Sequence, residues 1–307
     1  MSDLILHHFD LSPFAEKVRL MLGLKQLSWR SVEIPMVMPK PDLVALTGGY
    51  RKTPVLQIGA DVYCDTRLIA RELERRYPSP SLFPHGGGAL VEALSAWSDR
   101  VFFDPGAGLA MGTNQAFIPA PVLEDRKAFF NFMDFETLEA NLPHLYTQVA
   151  VGLELVDRQL EDGRHYLGGN APGLIDIQAY FPLWMLRGNV ARTPQLVAGY
   201  PRLQAWEQRL QQLGHGDRRP CTSAEALAIA RSASSSVVPT VDPNDPLGLA
   251  AGDLVTVTPD DYGRVPVQGT LYCLHTQEVA IRREDDRAGT VVVHFPRGGY
   301  RIDRVAG

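Results

Sequence analysis

One stretch, Thr53–Arg76, restricts what this chain can fold into more than any other. Pro54 opens the apolar run 55–58, and because proline cannot donate a hydrogen bond to a sheet ladder, it must lie at the start of a strand. Residues 59–61, Gly-Ala-Asp, predict a hairpin turn into a short strand at Val62 and Tyr63.

A helix is predicted directly after this hairpin. Asp65 takes the N-cap position, and the following turns carry one apolar stripe, formed by Leu68, Ile69 and Leu73. The stretch is therefore a strand, a turn, a strand and a helix, with the carboxylate of Asp65 and the hydroxyl of Thr66 at the start of the helix.

The residues before this stretch complete an α/β unit. Residues 4–9 predict a buried strand, and Ser12-Pro13 begins a helix with serine as N-cap and proline in the first turn. A second strand is predicted at 28–34, and the loop after it leaves room for one short helix at 42–46. The parallel pairing of the first two strands requires the helical crossover that the sequence supplies.

The order β-α-β-α-β-β-α resembles a thioredoxin-like domain, in particular the glutathione-binding half of glutathione S-transferases. The resemblance covers residues 3 to 215 and is strongest in 3 to 76. It implies that Thr53, before a cis Pro54, pairs its backbone with the cysteinyl part of glutathione. It also implies that Asp65 and Thr66 bind the glutamyl end, that Lys52 contacts the tripeptide, and that Ser12 is the catalytic hydroxyl.

Three domains are predicted. A thioredoxin-like domain covers residues 1–78, and an all-helical domain covers 88–233, in which the stretch 104–121, rich in glycine and proline, is expected to be broken or irregular. After a linker rich in serine and proline, residues 250–307 alternate in short apolar runs, which predicts a small antiparallel β-barrel.

Composition excludes several classes of function. A net charge of -5 and a pI near 5.9 give no basic surface for nucleic acid. The cysteines Cys64, Cys221 and Cys273 lack the spacing of metal ligands or of a disulfide framework, so we expect no metal and a reducing, cytoplasmic setting. We expect no signal peptide, because the first residues lack a basic region followed by an apolar stretch, and no membrane span, because no run of 18 apolar residues occurs.

Two functions are compatible with this sequence. The resemblance implies a glutathione transferase of detoxification, a homodimer that activates the glutathione thiol and transfers it to an apolar electrophile. Candidates for the electrophile pocket are aromatic and apolar residues of the helical domain, although packing in the core is the favoured interpretation of each: Trp97, Phe102, Phe103, Met111 and Phe117. The alternative is a non-catalytic module, kept for ligand binding or protein assembly, with the C-terminal β-domain as an adaptor.

Several single residues also have a purely structural interpretation. Ser12 and Asp65 are good helix caps whether or not a ligand binds. Asp176, three residues after Gly173, resembles one half of the buried capping box of the transferase family and is predicted to be structural. Cys64 adjoins Asp65, yet a thiol in a buried strand is usually inert, so we do not predict that it is a nucleophile.

Overall fold

A computed structural model describes residues 3–305, and packing divides the chain into two compact units. Of the described residues, unit 1 holds 3–15, 28–72 and 217–305, and unit 2 holds 16–27 and 73–216. The boundaries 1–78, 88–233 and 250–307 remain predictions from the sequence.

The helices are α1 (Pro13–Leu24), α2 (Pro41–Thr47), α3 (Thr66–Arg76), α4 (Gly88–Trp97), α5 (Asp104–Asn114), α6 (Ala120–Phe129), α7 (Leu138–Gln159), α8 (Leu174–Asn189), α9 (Thr193–Val197), α10 (Pro201–Gln211) and α11 (Ser223–Ser232). A π-helical turn covers Ser98–Phe103, and a 3-10 turn covers Gln115–Phe117. The strands are β1 (Leu4–His8), β2 (Ser28–Glu33), β3 (Val55–Ile58), β4 (Asp61–Cys64), β5 (Asp217–Pro220), β6 (Thr240–Val241), β7 (Leu254–Pro259), β8 (Val267–Leu274), β9 (Glu278–Asp285), β10 (Gly289–Pro296) and β11 (Tyr300–Arg304).

The first part of unit 1 has the expected thioredoxin-like fold. Strand β1 pairs in parallel with β2 and antiparallel with β3, and β3 forms a hairpin with β4. The hairpin turns at Gly59, whose φ of 64° is in the left-handed region that glycine adopts without strain. The predicted strand, turn, strand and helix of 53–76 are confirmed.

The C-terminal strands continue this sheet. Strand β10 pairs in parallel with β4, and the order of the sheet is β11-β7-β8-β9-β10-β4-β3-β1-β2-β5, with β6 beside β8. The expected small barrel is not confirmed, because the sheet is open and ends at β11 and β5. One hydrophobic core contains side chains of the thioredoxin-like strands together with Val255, Val291 and Phe295.

Residues 217–232 also belong to unit 1. Strand β5 lies in parallel beside β2, and α11 packs against α2 and β10. The sequence placed this helix in the all-helical domain because its apolar period is that of any amphipathic helix. Its buried residues, Ala226, Leu227 and Ala230, join the core of unit 1 instead.

Unit 2 is helical, and helix α8 is buried along most of its length. The stretch 104–121, expected to be broken or irregular, is broken only in its second half: residues 104–114 form the regular helix α5, and a 3-10 turn at 115–117 separates it from α6. The glycines of α5 allow close helix packing: a Cβ at Gly108 would lie 2.8 Å from Leu145, and one at Gly112 would lie 2.8 Å from Leu142. This tertiary packing outweighs the poor helix propensity of glycine.

Asp176 has the predicted structural role at the start of α8. Its Oδ2 accepts a hydrogen bond from the Gly173 amide at 3.0 Å, and its Oδ1 accepts one from the Leu167 amide at 2.7 Å and one from the Trp206 indole at 2.8 Å. Burial raises the pKa of this carboxyl group.

Among residues 3–305, no helix combines the length and the apolar character that a membrane span requires.

Candidate functional site

The pairing of β1, β3 and β4 brings the predicted ligand residues together at one end of these strands. His7 of β1 pairs with Val55 of β3, and Val55 pairs with Cys64 of β4. At this end of the strands β1 ends, β3 begins and β4 ends. Ser12 follows the first of these points, Thr53-Pro54 precedes the second, and Asp65-Thr66 follows the third.

Ser12 is the N-cap of α1. Its Oγ accepts a hydrogen bond from the Ala15 amide at 3.2 Å, and its own amide donates to the Phe9 carbonyl at 3.0 Å. The residue is 3% exposed. The capping role is thus real, and since a hydroxyl can accept and donate at once, it leaves the Ser12 proton able to serve a ligand.

Thr53 precedes a cis peptide bond to Pro54, as the resemblance implies. The Lys40 ammonium lies 3.3 Å from Thr53 Oγ1 and donates to the Arg51 carbonyl at 3.1 Å. Lys40 is 3% exposed and so places a buried positive charge beside Thr53. Lys40 was not predicted from the sequence, where its position just before Pro41, at the start of a helix, was the one signal for it.

Asp65 caps α3 from an unusual backbone conformation, with φ at 75°. Its Oδ1 accepts from the Arg67 amide at 2.9 Å, and its Oδ2 accepts from the Arg67 guanidinium at 3.1 Å. Burial alone would raise the pKa of Asp65, but Arg67 outweighs burial and holds that pKa below its ordinary value. The group is therefore an anion, and Thr66 beside it is buried.

Lys52 contacts the C-terminal part of unit 1. Its ammonium forms an ion pair with the Asp261 carboxylate and lies 4.2 Å from the centroid of the Tyr262 ring. Burial lowers the pKa of Lys52, and Asp261 offsets only part of that effect. The sequence predicted a ligand contact for Lys52 but gave no signal of these two neighbours, which lie more than 200 positions away in the chain.

Tyr300 is a second site residue that was not predicted from the sequence. Its hydroxyl donates to Asp65 Oδ2 at 3.2 Å and lies 3.2 Å from the Tyr50 hydroxyl. Burial raises the pKa of both phenols, so both stay protonated. Strand β11 is thereby attached to the start of α3.

Two other candidate chemistries lose support. Burial raises the pKa of the Cys64 thiol, which makes it a poor nucleophile, as predicted. His8, Asp10 and Glu33 are close enough together to suggest a cation site, but Arg218 already supplies the positive charge, with Nη1 2.8 Å from Asp10 and Nη2 3.9 Å from Glu33. Of the candidate pocket residues, Phe102 and Phe103 are buried in the core of unit 2, whereas Phe117 is 84% exposed.

A buried ionic cluster joins β10 to β4. His294 is fully buried, with Nδ1 2.6 Å from Glu278 and Nε2 3.4 Å from Asp61. The hydroxyls of Ser235 and Ser236 donate to Asp61 at 2.5 and 2.8 Å. Burial alone would lower the pKa of His294, but the two carboxylates outweigh it and raise that pKa.

The comparisons agree with this fold. Residues 6–81 match the family model described as glutathione S-transferase, N-terminal domain, and residues 133–209 match the C-terminal domain of the same family. The chain belongs to the glutathione S-transferase superfamily. Over 99% of its length it is similar to a GST-like protein from Pseudomonas syringae, at 41% identity and a TM-score of 0.82, with all of that chain covered.

Two further relatives are more distant. Pyrimidodiazepine synthase of Drosophila melanogaster is 24% identical over 220 residues, which are 67% of this chain and 75% of that protein. FtsZ-localized protein A of Caulobacter vibrioides is 29% identical over 102 residues, which are 32% of this chain and 45% of that protein. The match to this last relative therefore spans less than half of its length.

Proposed function

We propose that the chain is a glutathione transferase. It binds glutathione at this end of strands β1, β3 and β4 in unit 1, activates the glutathione thiol and transfers glutathione to an apolar electrophile. The observation that carries this proposal is the strand register of His7, Val55 and Cys64. That register brings together a hydroxyl, the backbone at the start of β3 and a carboxylate. These three kinds of group suit the thiol, the cysteinyl backbone and the glutamyl ammonium of glutathione.

Each group has a distinct role in the proposal. Thr53 offers the backbone amide and carbonyl that pair with the cysteinyl residue, as one more strand pairs with a sheet. The Asp65 carboxylate binds the ammonium of the glutamyl end, and the start of α3, with Thr66, binds its carboxylate. Lys52, and Lys40 beside Thr53, supply positive charge for the remaining carboxylate.

Activation of the thiol depends on Ser12 and on the first turn of α1. A free thiol has a pKa of about 8.5 and is only a few per cent thiolate at pH 7. A hydroxyl donor and the amides at the start of a helix interact with the thiolate but not with the neutral thiol, so they lower its pKa. No residue has to move a proton through a relay; the thiol loses its proton to water, and the thiolate attacks the electrophile.

The proposal is tested by titrating bound glutathione. The ultraviolet absorbance of the thiolate is followed against pH, with free glutathione as the reference. We expect the bound thiol to titrate lower than the free thiol by about two units, which corresponds to about 2.7 kcal/mol of differential interaction. Bound glutathione that titrates like the free thiol would show that the chain binds glutathione without activating it.

The second candidate function is a non-catalytic module for ligand binding or assembly. It is favoured by the contacts of Lys52 and Asp65 with the C-terminal part of unit 1, which involve ligand residues in interactions within the chain. The partial likeness to a protein named for its localisation with FtsZ is in keeping with it. The titration separates the two functions, since a module has no reason to lower the pKa of a thiol.

The family resemblance further supports a cytoplasmic homodimer that acts in detoxification. Sedimentation equilibrium tests the dimer: a mass of about twice the 33.9 kDa of one chain is expected. A single-chain mass at micromolar concentration would contradict it.

A further inference from the structure

The segment that connects β7 to β8 lies on the predicted glutathione residues of unit 1. Asp261 forms the ion pair with Lys52, and Tyr262 covers the Lys52 ammonium with its ring. Val265 lies against Gly49, where a Cβ would be 3.6 Å from the valine side chain. This segment therefore contacts the Lys52 ammonium, to which we assign a ligand carboxylate in the proposed function.

A second set of contacts fixes strands β10 and β11 at the same place. Arg67 donates to the Gly298 carbonyl at 3.0 Å, and Tyr300 donates to Asp65 at 3.2 Å. The Lys52 side chain is only 11% exposed, so its ammonium is largely sheltered from water. In such surroundings an ion pair is screened less than at the surface.

The charge of Lys52 is already paired within the chain, with Asp261. Lys52 and Arg67 contribute two positive charges, and Asp65 and Asp261 contribute two negative charges; both carboxylates act on the Lys52 ammonium. A ligand carboxylate brought to Lys52 would add a negative charge next to Asp261. Two carboxylates that share one site repel each other, so the ligand must either displace Asp261 or bind against this repulsion.

We propose that Asp261 is a specificity-determining residue, an internal carboxylate that competes with a ligand carboxylate for Lys52. This inference rests on the proposed function, because it assumes that glutathione binds beside Thr53. It adds that the site discriminates against carboxylates at the Lys52 position, so that glutathione binds more weakly than it would without Asp261. A thiol whose carboxylates are blocked does not meet this competition.

The experiment is calorimetry of full-length variants with glutathione and with glutathione diethyl ester. Asp261→Asn removes the charge but keeps an oxygen that can accept a hydrogen bond from Lys52. Asp260→Asn is the matched control, since the neighbouring Asp260 is exposed and the same charge is removed without touching Lys52. We expect Asp261→Asn to bind glutathione about tenfold more tightly than the parent, Asp260→Asn to bind as the parent does, and the ester to bind equally to all three.

A third variant shows whether the gain acts through the lysine. In Lys52→Met, the further change Asp261→Asn should no longer improve the binding of glutathione. Asp261→Ser, which shortens the side chain, gives a second measurement should the asparagine variant unfold at a lower temperature than the parent.

Each other outcome has a definite meaning. If the parent binds glutathione and Asp261→Asn binds it equally or more weakly, the competition is refuted while the glutathione site stands. The competition is also refuted if Asp260→Asn gains as much affinity for glutathione, or if Asp261→Asn binds the ester more tightly as well. In either case the gain comes from the net charge of the protein and not from Lys52. If no variant binds glutathione at millimolar concentration, the proposed function and this inference both fail.

Discussion

The imidazole of His294 stacks on the ring of Tyr63, with the ring centroids 4.5 Å apart and the planes inclined by 15°. The two residues are paired neighbours on β10 and β4, the strands that join the C-terminal part of unit 1 to its thioredoxin-like part. The stacking holds the imidazole edge between Asp61 and Glu278. The joint between the two parts of the sheet is thus both aromatic and ionic.

This joint predicts a pH dependence of stability. Because the pKa of His294 is raised above 6.5 in the folded chain, its contribution is complete below about pH 6.5 and is lost as the pH rises through the folded value. The free energy of unfolding of the parent should fall over that alkaline range more than that of His294→Gln. Urea unfolding at a series of pH values measures this, with the exposed His165→Gln as control. Parallel curves for parent and His294→Gln would contradict it.

Asp61, in the same cluster, predicts a loss of stability at low pH. Burial alone would raise its pKa, but His294 and the hydrogen bonds from Ser235 and Ser236 hold that pKa at about 2. Its contribution is present above the ordinary value of 3.8 and is lost as the pH falls toward 2. Asp61→Asn should cost about 1.5 to 3 kcal/mol at pH 7, because it weakens the charge-assisted hydrogen bonds with His294, Ser235 and Ser236 while Glu278 stays beside the imidazole. A loss below about 1 kcal/mol in urea unfolding would show that the pair is not buried in solution.

Ser12→Ala should separate capping from catalysis. Loss of the cap on α1 should lower the free energy of unfolding by about 1 kcal/mol. Thr222→Ala is the matched control, because Thr222 caps α11 by the same kind of bond, from the Glu225 amide at 3.2 Å. Both variants should lose similar stability in urea unfolding.

Only Ser12→Ala should also change the chemistry. We expect it to raise the pKa of bound glutathione by about one unit and to slow conjugation about tenfold, while the affinity for glutathione stays near that of the parent. Equal conjugation rates in Ser12→Ala and Thr222→Ala would reduce Ser12 to a helix cap.

Gly48→Ala should destabilise unit 1 for two reasons. Gly48 has φ at 76°, and a Cβ there would lie 2.3 Å from the Arg283 guanidinium. The backbone conformation alone costs an alanine about 1 to 2 kcal/mol. Gly248→Ala isolates that part, since φ is 59° and no atom lies within 4 Å of its Cβ. Thermal unfolding should show a larger loss in Gly48→Ala; equal losses would mean that Arg283 moves aside freely.

Removing residues 250–307 should unfold the thioredoxin-like part. The cut leaves β4 without its neighbour β10 and exposes core side chains such as Val62 and Ile5, which pack with β7 to β10 in one cluster. We expect residues 1–249 to lose their near-ultraviolet circular dichroism and to aggregate. A cooperative unfolding transition at the midpoint of the parent would contradict this and would restore the predicted separate β-domain.

The thioredoxin-like part was predictable because its signals are local. Pro54, the turn at Gly59 and the caps at Ser12 and Asp65 each specify backbone within a few residues. The partner of β10 was not predictable in this way, because pairing between distant strands leaves no local pattern. One signal did exist in the sequence: Val291, Val292, Val293 and Phe295 form a nearly continuous apolar run, as in a central strand covered on both faces, whereas a strand of a half-exposed sheet alternates. In the structure, residues 291–296 are all buried.

For each contact within the site, only one of the two residues could be predicted. The family resemblance implied that Lys52 and Asp65 bind a ligand, whereas the residues alone predicted only that Asp65 caps a helix. The sequence did not identify Asp261 and Tyr300 as the groups that contact them, because both lie in a segment whose alternation predicts strands and nothing about where those strands pack.

The two outermost strands bear on how the protein behaves at high concentration. All four residues of β5 are exposed, and they include two arginines, an aspartate and Pro220; β11 alternates charged with buried side chains. Charges and proline on an edge strand discourage the addition of a strand from another molecule. Extension of the sheet through β10 therefore moves its open edge from β4, whose residues are all buried, to a charged strand that resists aggregation.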